Sequence, residues 1–145
     1  MVLKRHTDKV EVLKKVPLFA GLNRRHLDHI ARAADEVKAE AGTVLTRQGG
    51  LGLEFILLLE GSARVERDGK AIARLGPDDF FGEMSLIDGM PRSATVIAES
   101  PSALLVIEAR SFGTLLDTVP GLQRKLLVTL CARLRAADAR LASTN

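Results

Sequence analysis

The chain contains few cysteine, histidine and aromatic residues, and their scarcity excludes several classes of protein. Its one cysteine, Cys131, excludes an internal disulfide and a cysteine-rich metal site, and is typical of a reducing cytoplasm. Residues 1–8 lack the apolar segment that secretory signals carry. The longest apolar runs, residues 55–59 and 103–107, are strand-sized and too short to cross a membrane. The sequence therefore predicts a cytoplasmic protein without a membrane segment.

The charges of the chain do not indicate a nucleic-acid partner. Its 145 residues carry 21 basic and 18 acidic side chains, which gives a formal net charge of +3. No aromatic residue follows Phe112, so the basic C-terminal segment lacks the rings on which bases could stack. We therefore interpret its basic residues as solvated helix faces and expect no direct DNA binding.

Residues 1–35 are predicted to form a helical segment. Residues 8–15 are good helix formers and begin with an aspartate that can cap a helix. Asn23 can cap a second helix over residues 24–34, whose apolar residues share one face: Leu27, Ile30, Ala31 and Ala34.

Within residues 36–109 the spacing of apolar residues is no longer that of a helix but that of short strands. Asp68-Gly69 lies at the turn of a predicted hairpin, because Asp-Gly is a strong signal for a two-residue turn. The clearest strand-like apolar runs are residues 55–59, 94–98 and 103–107. Short strands separated by glycine turns are typical of an antiparallel jelly roll, or double-stranded β-helix. We therefore predict one mainly β domain, a β-roll with flanking helices.

Residues 110–145 are predicted to form a hinge and a lid helix. Ser111 can cap a short helix over residues 112–118, which Pro120-Gly121 then interrupts. The last helix, from about residue 122 to residue 141, has apolar residues at heptad spacing: Leu127, Leu130, Leu134, Ala137 and Leu141. This spacing fits a helix packed on the β-roll, and it also fits a lid or two-fold dimer helix. The sequence leaves both interpretations open.

Residues 80–96 contain the groups with the clearest binding chemistry. A short helix beginning near Gly82 would present backbone N–H groups without intrahelical partners to an approaching ligand. Arg92 offers a planar set of donors suited to a phosphate, and Ser93 adds a hydroxyl. Glu83 would repel a phosphate and needs a donor such as a sugar hydroxyl. The spacing fits a site for a phosphorylated sugar, and it also fits an ion pair between Glu83 and Arg92 without a ligand.

Two motifs lie in this stretch, Phe-Gly-Glu-Met-Ser-Leu at residues 81–86 and Pro-Arg-Ser-Ala-Thr-Val at residues 91–96. Together they closely resemble the phosphate-binding cassette of cyclic nucleotide-binding domains. That family includes protein kinase A regulatory subunits, cyclic-nucleotide-gated channels and the catabolite activator protein. The resemblance covers about residues 16–134 and is to the stand-alone bacterial type. It implies a β-roll with N-terminal helices, a cassette at residues 80–96, and C-terminal B and C helices.

The resemblance also implies which residues contact the ligand. Glu83 would accept the ribose 2′-hydroxyl of cAMP or cGMP, and Arg92 would pair with the cyclic phosphate. The implied contacts of the cassette are Phe81, Gly82, Glu83, Met84, Ser85, Arg92, Ser93 and Ala94. Ser93 favours cAMP only weakly over cGMP. Contacts to the base, placed from topology, are the apolar Val65, Ile72 or Leu86 and the polar lid residues Thr129, Arg133 or Arg135.

The sequence does not predict an enzyme. A metal-dependent cupin enzyme shares the barrel but needs two or three histidines inside it, whereas His6, His26 and His29 all precede the first strand. No serine or cysteine has a base partner in a suitable pattern. We therefore predict no catalytic residue, no metal and no cofactor other than the nucleotide ligand.

The sequence does not identify the partner of such a sensor. We expect a separate effector protein, or self-association through the C-terminal helix, and movement of that helix on ligand binding. The chain ends at Asn145 without room for a DNA-reading domain, and its initial methionine favours a complete short protein. Two alternatives stay open: a β-roll interaction or scaffold module without a ligand, and a sensor fragment of a larger transcription regulator or channel.

Overall fold

The computed structural model describes the backbone of residues 6–144 and the side chains of residues 8–142. Its helices are α1 (His6–Lys14), α2 (Arg24–Ala33), α3 (Glu83–Asp88), α4 (Ala109–Thr118) and α5 (Leu122–Thr144). Its strands are β1 (Ala34–Ala39), β2 (Val44–Thr46), β3 (Glu54–Glu60), β4 (Ala63–Arg67), β5 (Lys70–Leu75), β6 (Phe80–Phe81), β7 (Thr95–Ala98) and β8 (Ser102–Glu108).

The strands form two antiparallel sheets of four strands each. The first sheet has the order β1-β8-β3-β6 and the second has the order β2-β7-β4-β5. Side chains from both sheets meet in one buried apolar cluster, which places the sheets face to face. The β4–β5 hairpin turns at Asp68 and Gly69, which have φ angles of 54° and 79°, as a type I′ turn requires. The predicted antiparallel β-roll with flanking helices is therefore confirmed.

Strand β3 is buried on both faces, which explains its uninterrupted apolar sequence. Successive side chains of a strand point to opposite faces. Phe55 and Leu57 lie in the cluster formed with the helices, whereas Ile56 and Leu58 lie in the cluster between the sheets. Strand β8 divides its side chains between the same two clusters. The two central strands thus join the helical layer to the interior of the β-roll.

The helical layer anchors the beginning of α5. Phe112 of α4 stacks on Phe55 with 4.5 Å between the ring centroids. Leu122 and Leu126, in the first turns of α5, are buried, and the Lys125 ammonium donates a hydrogen bond to the carbonyl of Ala20. The later part of α5 is much more exposed to solvent. The first turns of α5 are therefore fixed to the core, and the rest of the helix extends along the β-roll.

Three predicted element boundaries were wrong. Asp8 does not cap α1, because that helix begins at His6. Ser111 does not cap α4, because that helix begins at Ala109 and Glu108 occupies its N-cap position without a side-chain cap. Ala34, predicted on the buried face of a helix, is the first residue of β1. The strand after Pro91 begins at Thr95. Arg92, before it, exchanges backbone hydrogen bonds with the glycine loop that precedes β3.

Candidate functional site

The stretch from β6 to α3 depends on the conformational freedom of Gly82. This residue precedes the first turn of α3 and has a φ angle of +92°. Residues other than glycine adopt such a backbone conformation only at an energetic cost. A Cβ atom here would collide with the guanidinium of Arg92 and would lie 2.6 Å from the carbonyl oxygen of Glu54. Glycine therefore allows the backbone of the cassette to approach the Arg92 side chain.

Arg92 is buried and held by backbone groups on two sides. Its Nη1 donates to the carbonyl of Gly82 at 2.7 Å, and its Nη2 donates to the carbonyl of Glu54 at 2.6 Å. Its own backbone N–H and C=O bond to Gly50 and Gly49. Burial lowers the pKa of Arg92, while the carboxylates of Glu54 and Glu83 act in the opposite direction. The guanidinium is thus fixed at the junction of the cassette with β3.

Glu83, the first residue of α3, is 3% exposed. Its Oε1 accepts a hydrogen bond from Nη1 of Arg133 at 2.8 Å. No described residue donates a hydrogen bond to its Oε2, although that atom is buried. Burial raises the pKa of Glu83, and the nearby Arg133 and Arg92 oppose the increase. A buried acceptor without a donor is costly, so Oε2 marks a position where a ligand hydroxyl would be favourable.

Arg133 reaches this carboxylate from α5. Besides Glu83, it donates to the carbonyl of Phe80 at 2.6 Å, and its guanidinium lies 4.2 Å from the centroid of the Phe80 ring. These contacts connect α5 to both β6 and α3. The ion pair predicted as an alternative, between Glu83 and Arg92, is therefore replaced by a pair between Glu83 and Arg133.

These groups surround a cavity of about 350 Å³, which is within the size range of small-molecule sites. The cassette, the second sheet and α5 each form part of its wall. Its lining residues are Thr46, Val65, Arg67, Ala73, Leu75, Phe80, Phe81, Gly82, Glu83, Met84, Ser85, Arg92, Ser93, Ala94, Val96, Arg133, Ala136 and Arg140.

All eight predicted cassette contacts line this cavity, as do the predicted base or lid contacts Val65 and Arg133. Ile72 does not line it. Ala73 and Leu75 of β5 face the cavity, so the alternation of the strand points Ile72 to the other side, where it is 44% exposed. Leu86 packs instead against the buried cluster beneath the helices. Ile72 and Leu86, both predicted as base contacts, therefore lie outside this cavity.

Thr129 and Arg135 also lie outside the cavity. Thr129 is one turn before Arg133 on α5, and its hydroxyl donates to the carbonyl of Lys125. Arg135 is exposed and lines a separate groove with Leu127. The part of α5 that lines the cavity begins at Arg133 and continues away from these residues.

Sequence reasoning missed several lining residues, most notably Arg67 and Arg140. Arg67 ends β4, and its Nε donates to the carbonyl of Ser93 at 3.0 Å. Arg140 follows Arg133 and Ala136 at helical spacing along α5. The helical period, counted from Arg133, was the signal that could have identified Arg140.

The described residues include no group of three or more histidine, cysteine, aspartate or glutamate side chains that could hold a metal ion. His26 and His29 contact each other edge to face, with 6.4 Å between their ring centroids. The side chain of His6, the remaining histidine, lies outside the side chains that the structure describes. No helix in the described part of the chain is long and apolar enough to span a membrane.

Comparison with known proteins gives several matches over this region. The family model of the cyclic nucleotide-binding domain matches residues 36–119. The chain is 34% identical over 114 residues to the cAMP-dependent protein kinase regulatory subunit of Schizosaccharomyces pombe, covering 78% of this chain and 28% of that protein. It is 35% identical over 123 residues to a cyclic nucleotide-gated potassium channel of Rhizobium etli, covering 85% and 34% respectively. The chain thus spans about a third of each relative.

A solved structure also matches the fold of this chain. A cyclic nucleotide-binding domain from Methylobacillus flagellatus superposes with a TM-score of 0.80 at 29% identity, covering 97% of this chain and 84% of that one. The match of the family model includes the whole cassette, from Phe80 to Val96. The chain belongs to the cyclic nucleotide-binding domain family.

Proposed function

We propose that the chain binds cAMP or cGMP in this cavity and acts as a regulatory module without catalytic activity. The observation that carries the proposal is the buried Oε2 of Glu83, which has no donor among the described residues. A ribose 2′-hydroxyl would supply that donor. Because Oε1 is already bound to Arg133, the sugar and α5 would be held by the two oxygens of one carboxylate.

The phosphate would be bound by Arg92 and Ser93 on the opposite side of the sugar. Two N–H groups of the Arg92 guanidinium bond to backbone carbonyls, and a guanidinium has five such donors. Its remaining N–H groups are suited to a phosphate oxygen. Val65, Ala73 and Leu75 offer apolar surface on the sheet side of the cavity, which fits the face of a purine ring.

Binding would be transmitted through α5, since Arg133 joins that helix to the residue that reads the sugar. The helix is separated from α4 by a short break at residues 119–121, where Gly121 has a φ angle of +82°. We propose that this break acts as a hinge; in support, α4 contacts the cassette helix α3. Hydrogen exchange tests the mechanism directly: amides of α5 should become slower to exchange when nucleotide binds. Equal protection with and without nucleotide would refute it.

The output is proposed to be a contact with an effector protein or with a second copy of the chain. Leu127, Leu134 and Leu141 of α5 are each more than 60% exposed, which supports an interaction along this helix. The kinase regulatory subunit and the potassium channel are longer proteins, so the chain can also act as the sensor of a larger regulator or channel. The remaining alternative is a β-roll interaction module that binds no nucleotide.

Calorimetric titration with cAMP and cGMP decides between ligand binding and a ligand-free module. We expect saturable binding of at least one nucleotide. Arg92→Ala should weaken it by roughly thirty-fold or more, since removing one partner of a buried charge pair costs about 2–5 kcal/mol. Arg74→Ala is the matched control, because Arg74 is exposed and pairs with Glu99 away from the cavity. Absence of binding by both nucleotides at high concentration would refute the proposal.

A further inference from the structure

The cavity contains an arginine beyond the groups needed for sugar and phosphate. Arg140 lines the cavity from α5, seven residues after Arg133 and on the same side of the helix. Seven residues correspond to about 10.5 Å along an α-helix, so Arg140 lies well past the sugar contact. Helical side chains lean toward the N-terminus of their helix, and this direction carries the guanidinium back toward Arg133.

Ala136 lies between these two arginines and also lines the cavity. Its small side chain leaves space against α5, while Val65, Ala73 and Leu75 form an apolar surface on the sheet. These two surfaces are suited to the two faces of a flat purine. A purine placed there would have one edge toward Arg140, which lines the cavity on the same side of α5.

The other additional arginine, Arg67, belongs to a different part of the cavity. Its Nε donates to the carbonyl of Ser93, the cassette residue next to Arg92. Arg67 is therefore fixed at the phosphate end. Arg140 lines the cavity from a different element, on α5 beyond Arg133.

We infer that Arg140 makes this site prefer guanine over adenine. An arginine guanidinium has donors and no acceptor. Guanine presents two adjacent acceptors, O6 and N7, which a guanidinium can bind bidentately, whereas adenine presents a donor at N6 beside N7. Arg140 therefore matches the guanine edge and opposes the adenine edge. The inference rests on the proposed binding of a cyclic nucleotide, and it outweighs the weak preference for cAMP expected from Ser93.

The test is calorimetric titration of the full chain with cGMP, cAMP and cIMP. Cyclic IMP has the O6 and N7 acceptors of cGMP but lacks its 2-amino group, so it isolates the edge that Arg140 would read. We expect cGMP and cIMP to bind at least about five-fold more tightly than cAMP. Arg140→Met should remove this difference by weakening cGMP and cIMP alone. Arg140→Lys keeps the charge but loses the planar fork, and should remove most of the difference.

Arg135→Met is the matched control, because Arg135 is exposed on the same helix and lies outside the cavity. Its affinities for the three nucleotides should equal those of the wild type. The inference is overturned if cAMP binds as tightly as cGMP. It is also overturned if Arg140→Met weakens all three nucleotides equally, which would indicate a general attraction to the phosphate. Failure of all three to bind would instead refute the proposed function, and the base preference with it.

Discussion

Replacing Glu83 with glutamine separates the binding role of this carboxylate from its effect on folding. Glu83 is 3% exposed, and its Oε1 accepts a hydrogen bond from Arg133. Glutamine has nearly the same shape and can keep one carbonyl oxygen for Arg133. At the position of Oε2 it places an amide nitrogen, which donates. The substitution therefore removes the charge and the proposed acceptor of the ribose hydroxyl while preserving the packing.

The expected loss of affinity follows from the hydrogen bond to the sugar. Hydrogen bonds to charged groups contribute about 1.5–3 kcal/mol. We therefore expect Glu83→Gln to weaken binding of either cyclic nucleotide by roughly ten-fold to more than a hundred-fold. The loss should be similar for cAMP and cGMP, because both carry the same ribose.

Although Glu83→Gln should weaken nucleotide binding, it should make the ligand-free protein more stable than the wild type as the pH rises. Burial raises the pKa of Glu83, so at pH values between its ordinary and its folded pKa the folded state holds a proton that the unfolded state releases. Stability then falls as the pH rises from about 4.5, the ordinary pKa of the group, through its folded value. Glutamine cannot ionise. The ligand-free variant should therefore gain stability relative to the wild type as the pH rises through this window.

Thermal unfolding of the ligand-free proteins over a pH series that brackets 4.5 measures this gain, and calorimetry with nucleotide measures the affinity. Glu99→Gln is the matched control, since Glu99 also pairs with arginines but lies outside the cavity. It should leave nucleotide affinity unchanged. Wild-type affinity in Glu83→Gln would refute the sugar contact. A difference in unfolding temperature between that variant and the wild type that stays constant across the pH series would refute the argument about burial.

Two further substitutions test the lid and the cassette. Arg133→Met removes the donor to Glu83 and keeps an apolar stem, so we expect faster amide exchange in α5 and weaker nucleotide binding; unchanged exchange would contradict the link between helix and cassette. Gly82→Ala places a methyl group against the Arg92 guanidinium in a backbone with a φ angle of +92°, and chemical denaturation should show a loss of about 1–3 kcal/mol. Gly76→Ala, with open space around its Cβ, should stay within about 0.5 kcal/mol of the wild type.

The elements that could be predicted from sequence are those whose signal is local. The apolar run of β3 needs no partner to be recognised, because burial on both faces requires apolar side chains at consecutive positions. Asp68-Gly69 predicts its turn because both residues must adopt positive φ angles. The cassette motif is equally local. Its residues lie in one stretch of chain, and the eight contacts predicted from it all line the same cavity.

The parts that sequence reasoning missed depend on how separate elements meet. Ile72 and Ala73 are adjacent apolar residues of β5, and the sequence does not say which of them faces inward. The bulge between Val65 and Glu66 in the pairing with β5 adds a shift that no local pattern reveals. Arg140 lines the cavity because α5, which begins after the break at residues 119–121, runs beside the cassette. Such contacts are set by register and packing across long sequence separations.

Arg92 and Arg133 connect the cassette to different parts of the fold. Arg92 is bound to carbonyls of the cassette and of β3, so a phosphate held by it would contact the core of the β-roll. Glu83 is bound to Arg133, so a sugar hydroxyl on its other oxygen would act on α5. A 2′-deoxy cyclic nucleotide should therefore bind more weakly and also fail to slow amide exchange in α5, even at saturation. The same protection of α5 by the deoxy and ribose ligands would show that the signal passes through the phosphate instead.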